Sequence, residues 1–138
     1  MGEIEKIKRM KMEKLMKGLM GVKMETKTET QTKIDIDDNS FNEQVIEQSK
    51  RVPVVVDFWA TWCAPCVRLG PTLEGFAKEY AGKFILAKLN VDENPIVSSS
   101  YGIMSIPSVK MFKDGKVVDE FIGALPEQNV KAWLDRNL

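Results

Sequence analysis

Residues 52–59 (VPVVVDFW) form a near-continuous run of β-branched and aromatic side chains. A strand with one wet face would alternate apolar and polar residues, so this run fits a central strand buried on both faces of a sheet. Such a strand needs covering layers on both sides. Parallel neighbours also need long crossover connections, which are usually helices. One short stretch therefore points to an α/β architecture, and a chain of 138 residues has room for one such domain and some spare polypeptide.

The other elements follow from periodicity and turn chemistry. Residues 34–36 suit a short first strand, and Asp38, Asn39 or Ser40 can cap a helix carrying Phe41, Val45 and Ile46. After the central strand a helix is expected from about Ala64 to Tyr80. Leu69, Leu73, Phe76 and Ala77 form its apolar side, with a kink at Gly70-Pro71. Residues 84–91 (FILAKLNV) read as a strand, 95–100 as a short helical or irregular piece, and 107–112 as another strand. Lys113-Asp114-Gly115-Lys116 carries the Asp-Gly signature of a tight hairpin leading into a strand over 117–122. Residues 126–138 close the chain as a helix, with Val130, Trp133 and Leu134 periodic and Pro126 and Glu127 in the first turn. The order β-α-β-α-β-α-β-β-α describes a mixed sheet with helices on both faces.

Residues 1–33 are of a different kind. Six of the eight methionines lie in residues 1–24, and residues 25–33 (ETKTETQTK) lack large apolar side chains. Met12, Leu15, Met16 and Leu19 share one helical face, but Lys8 and Lys11 interrupt the face begun by Ile4 and Ile7. The segment reads as a marginal basic amphipathic helix and a flexible linker, with the domain at 34–138. It carries nine basic and five acidic groups, a net of +4, whereas residues 34–138 carry eleven basic and fifteen acidic groups, a net of −4. An acidic domain offers no electrostatic footprint for nucleic acid. A basic tail of this kind is more often loosely ordered than a membrane anchor. No secretory-type apolar run opens the chain, so the cytoplasm is the expected compartment.

Histidine is absent and cysteine occurs twice. Histidine-dependent triads and histidine metal or haem ligation are thereby excluded, and two cysteines are too few for an ordinary structural zinc site. Thiol chemistry survives. Trp59-Ala60-Thr61-Trp62-Cys63-Ala64-Pro65-Cys66 lies where the buried strand ends and a helix begins. Unpaired N–H groups and the positive end of the helix dipole favour an anion there, so Cys63 should hold its thiolate more readily than a free thiol. Cys63 is then the attacking sulfur and Cys66, one turn on and more shielded, the resolving one. A disulfide across this four-residue loop is worth roughly 2 kcal/mol of chain entropy, a poor staple, which favours reversible redox use. Two buried structural cysteines, or half of a zinc site, are the alternative.

Asp57 interrupts the apolar run. If buried, desolvation raises its pKa and lets it exchange protons with a nearby thiol around neutrality; if the strand ends early, it is merely solvated. Lys88, in the apolar run Leu86-Ala87-Lys88-Leu89, is its counter-charge if the two strands are neighbours, and a surface lysine otherwise. Ile106-Pro107 precedes a strand and is compatible with a cis bond, which would expose the Ile106 backbone to an extended substrate.

Taken together, Val56-Asp57-Phe58-Trp59-Ala60, Trp62-Cys63-Ala64-Pro65-Cys66, Pro71, Lys88-Leu89-Asn90-Val91-Asp92, Tyr101-Gly102-Ile103, Ile106-Pro107, Phe112-Lys113-Asp114-Gly115 and Gly123-Ala124 make residues 34–138 resemble the thioredoxin family along their whole length. The resemblance implies the thioredoxin fold, a five-stranded mixed sheet flanked by four helices. It also implies a general protein disulfide reductase that needs no cofactor. It makes Cys63 the nucleophile, Cys66 the resolving thiol and Asp57 the buried proton acceptor for Cys66, with Lys88 beside it. Ala64, Pro65 and Lys88 would tune the redox poise. Pro107 would be a cis-proline facing the disulfide, and Trp62, Ala64, Pro65, Ile106 and Gly123 would form the apolar docking patch. Expected partners are disulfide-containing proteins and a thioredoxin reductase as electron donor, the chain itself being monomeric. Ala64 stands where the family usually has glycine, Ser105 replaces a glycine, and Val67-Arg68 replaces a basic-then-apolar pair; these bear on poise and partner preference. A dedicated electron donor, or an interaction module targeted through residues 1–33, is the alternative.

Overall fold

The computed structural model describes residues 31–138, and the expected amphipathic helix and linker lie almost wholly outside them. Five strands are present: β1 (Lys33–Ile36), β2 (Val54–Trp59), β3 (Ile85–Asn90), β4 (Ser108–Lys113) and β5 (Lys116–Ile122). Among the described residues four helical segments accompany them, three between strands and one after the last. The first, α1, is a π-helical turn (Asn42–Glu47) continued by a 3₁₀ turn (Gln48–Lys50); the others are α2 (Ala64–Glu79), α3 (Pro95–Ser100) and α4 (Glu127–Asn137). The sheet order is β1-β3-β2-β4-β5. β3 lies parallel to β1 and β2, β4 runs antiparallel to β2, and β5 antiparallel to β4.

β2 is central, as its apolar run predicts. Val54, Val55, Val56 and Phe58 are all fully buried. The strand's alternation sends them to two cores. Val55 packs with Leu69, Leu73 and Phe76 of α2 and Trp133 of α4; Val54, Val56 and Phe58 pack with Phe41, Val45 and Phe112. Each such side chain contributes on the order of 1.5–3 kcal/mol of burial.

Some boundaries differ from the sequence reading. The fold starts before residue 34: Lys33 is the first residue of β1, and Thr32 O accepts from Leu86 N–H at 2.9 Å. The first helix is not a regular α-helix, and of the candidates Asp38, Asn39 and Ser40 only Ser40 acts near its start, in a turn it closes with Asp37: Asp37 Oδ1 accepts from Ser40 N–H at 2.8 Å, and Asp37 N–H donates back to Ser40 Oγ at 3.0 Å. Asp38 serves a distant element instead. Its carboxylate accepts from Ile96 and Val97 N–H at 3.2 and 2.8 Å, satisfying the start of α3. Pro126 caps α4 from outside its first turn, and α2 runs through Pro71 as one helix.

The hairpin is as predicted. Asp114 and Gly115 both have positive φ, 50° and 79°, the pair a type I′ turn demands. Its tip is tied to the end of α1, with Asp114 N–H donating to Ser49 O at 2.9 Å and Gly115 N–H to Ser49 Oγ at 2.8 Å. Among the described residues no helix is long and apolar enough to cross a membrane.

Candidate active site

Where β2 ends, the chain turns through Ala60, Thr61 and Trp62, and Cys63 N–H donates to Ala60 O at 3.2 Å. This turn makes Cys63 the cap of α2. Its backbone is extended (φ −93°, ψ 103°), and its Sγ accepts from Cys66 N–H at 3.2 Å. The sulfur occupies the place of a capping oxygen, where the orphaned N–H groups of the first turn stabilise negative charge. Pro65 lies in that first turn, where its missing N–H leaves nothing unsatisfied.

Cys63 and Cys66 form a disulfide, with Cα atoms 5.2 Å apart. Both are buried in this state, Cys63 at 4% and Cys66 at 2% exposure, so the difference in shielding expected between them is small. They pack with Ala60 and against Trp59, Val91 and Ile106. Ile106-Pro107 is cis, and Ile106 O lies 3.8 Å from Cys63 Sγ. Pro107 is buried beneath the rim, and its carbonyl accepts from Gly123 N–H at 2.8 Å. Gly123 has φ 98°, a conformation that suits glycine. Trp62 is 69% exposed, and its indole N–H donates to Asp92 Oδ2 at 2.7 Å. Ala64 is exposed, while Pro65 and Ile106 are half-buried. Around the sulfurs this leaves an apolar rim beside the Ile106 carbonyl.

Asp57 is 1% exposed, and neither carboxyl oxygen has a hydrogen-bond partner in the protein. By alternation along β2 it shares a face with Val55, the face α2 covers. Burial pushes its pKa up to about 7; the charge of Lys88 works against this and that of Glu74 with it. Lys88 is its register partner on β3, so the two strands are neighbours. The ammonium is nevertheless not paired with Asp57. Lys88 Nζ donates to Glu74 Oε2 of α2 at 3.1 Å and lies 5.0 Å from the centre of the Trp59 ring.

The structure brings Cys63, Cys66 and Ile106 together beyond the end of β2, with Trp62, Ala64 and Pro65 beside the cysteines in the chain and Gly123 bonded to Pro107; Asp57 and Lys88 lie opposite each other on β2 and β3, with Lys88 turned toward the helix. Glu74 and Asp92 were missed as site residues. Asp92 lies in a quoted motif, but its contact with Trp62 spans 30 residues, and Glu74 had no local signal at all.

A disulfide that closes so small a loop, seated where a helix start stabilises the thiolate formed on opening, belongs to a protein that makes and breaks it. Fold and site together define a thiol–disulfide oxidoreductase.

Comparison with known proteins agrees. The family model for Thioredoxin matches residues 31–136. The chain is 48% identical over 101 residues to the Thioredoxin of Chlorobaculum thiosulfatiphilum, covering 73% of this chain and 92% of that protein. It is 48% identical over 101 residues to Thioredoxin 2 of Chlorobaculum tepidum (73% and 91% covered), and 50% identical over 92 residues to the Thioredoxin of Alicyclobacillus acidocaldarius (67% and 86% covered). The chain belongs to the thioredoxin family, and its activity is the reduction of protein disulfides by dithiol exchange.

Proposed function

We propose that this protein is a general, monomeric disulfide reductase of the cytoplasm, in which Cys63 attacks and Cys66 resolves. The Cys63 thiolate attacks one sulfur of a target disulfide. A Cys63–target bond forms as the target's own bond breaks, and the second target sulfur leaves as a thiolate that takes a proton from solvent. Asp57 accepts the proton of Cys66, whose thiolate then attacks Cys63 Sγ and expels the first target sulfur. Two electrons reach the target, and the protein is left as the Cys63–Cys66 disulfide. A thioredoxin reductase returns the two electrons, which makes the chain a link in electron transport.

The observation that carries this reading is the position of Cys63 as the cap of α2 beside the Ile106 carbonyl, over a strand that holds an unpartnered Asp57. Trp62, Ile106 and Gly123 form the rim on which an extended substrate segment lies, with the cis Pro107 buried beneath it and Ile106 O accepting from the segment's backbone. Ala64 and Pro65 set the environment of the first helical turn, and with it the poise. Residues 1–30, a basic extension in sequence, take no part in this chemistry. The absence of histidine between the two cysteines favours a reductase over an isomerase or oxidase.

Trapping tests the reading. Cys66→Ser is expected to accumulate mixed disulfides with target proteins through Cys63, and Cys63→Ser to accumulate none and to lose disulfide-reducing turnover. Adducts formed equally by the Cys63→Ser variant would overturn the assignment. Adducts with one target alone would favour a dedicated electron donor.

A further inference from the structure

Lys88 carries one ammonium between two carboxylates. Asp57 is its register partner on β2, and Glu74 faces it from α2. Three features hold the ammonium on the helix side. Glu74 Oε2 accepts from Nζ at 3.1 Å, the Trp59 ring lies beneath it at 5.0 Å, and Gly70 leaves it room. A Cβ at position 70 would stand 3.4 Å from Nζ. Meanwhile both oxygens of Asp57 remain without a partner in the protein. The other charges nearby come from β1: Lys33 Nζ lies 4.0 Å from Glu74 Oε2, and Asp35 is opposite Lys88 in register. From β4 the residue opposite Asp57 is Val109, which is apolar.

We propose that Glu74 is a positioning residue: it withholds the Lys88 ammonium from Asp57, and so sets how tightly that carboxyl holds its proton and when it can serve Cys66. Its consequence for turnover rests on the proton-acceptor role given above to Asp57. With Glu74 neutral, the lysine has one buried carboxylate left to turn to. An opposite charge brought within about 4–6 Å favours the ionised carboxylate by one pH unit or more.

The experiment is a carbon-13 NMR titration of the Asp57 carboxyl in the oxidised full-length chain, run beside the pH profile of disulfide reduction. Glu74→Gln is expected to move the carboxyl midpoint down by about one pH unit or more, and the acid limb of the rate with it. In a Lys88→Met background the same substitution should move the midpoint by less than half as much. An unmoved midpoint in Glu74→Gln overturns the inference, as does an equal shift in both backgrounds, which would mean that Glu74 acts by its own charge. A midpoint that moves through Lys88 while the rate profile stays put upholds the hold on Lys88 and sinks the relay role of Asp57. A rate profile that depends on Asp57 beside an unmoved midpoint does the reverse.

Discussion

A carboxyl buried without a partner keeps its proton to a higher pH than one in water, which fixes the direction in which the titration of Asp57 acts on this fold. Between about pH 4, where Asp57 ionises in the unfolded chain, and about 7, where it ionises in the folded one, the native state binds the extra proton. The contribution of Asp57 to stability is therefore fully present below this window and falls as pH rises through it, by about 4 kcal/mol over the full interval. Asp57→Asn should abolish that slope. By chemical denaturation it is expected to match the parent at pH 4 and to be more stable than it by about 4 kcal/mol at pH 8. The same variant should reduce disulfides more slowly at pH 7, on the order of tenfold; equal rates across pH 6–8 would remove the relay. Asp57 and both cysteines were legible because each breaks a local pattern: a charge inside an apolar run, and two sulfurs one turn apart at a strand's end. The grip of Glu74 on Lys88 was not. It depends on how α2 lies across β3, which no local spacing encodes.

At the scale of elements, legibility follows the range of the forces. The β4–β5 hairpin needs only Asp114-Gly115, whose left-handed pair is a property of four neighbouring residues. Gly115→Ala, at φ 79° and with Ile46 Cγ2 3.5 Å from the added Cβ, should cost about 1–2 kcal/mol in thermal unfolding. The start of α3 is the opposite case. Its N–H groups are satisfied by Asp38, and Asp38 N–H donates to Asn94 Oδ1 at 2.9 Å from 56 residues away. Local reading assigned that carboxylate to the helix next to it. Asp38→Ala should cost about 1–2 kcal/mol and lower the melting temperature by about 4–10 °C, with Asp38→Asn recovering part of the loss. The irregular α1 was equally hidden, since apolar spacing does not distinguish α from π or 3₁₀ winding over so few residues.

For the whole molecule, the sheet order places β2 in the middle and delivers both ends of its chemistry to one edge: Cys63 after it, and Ile106-Pro107 before its antiparallel partner β4. Because β1 begins at Lys33 and Thr32 bonds to β3, a truncation that starts at Gln31 should retain full disulfide-reducing turnover. One that starts at Ile34 removes the Thr32 acceptor and should melt lower. The hairpin tip carries a final lesson for anyone engineering this scaffold. From outside, Asp114-Gly115 looks like a convenient splice point for an epitope or a fluorescent tag, as surface turns often are. Both of its amides are already committed to Ser49, so a graft there would unfasten the neighbouring helix along with the loop.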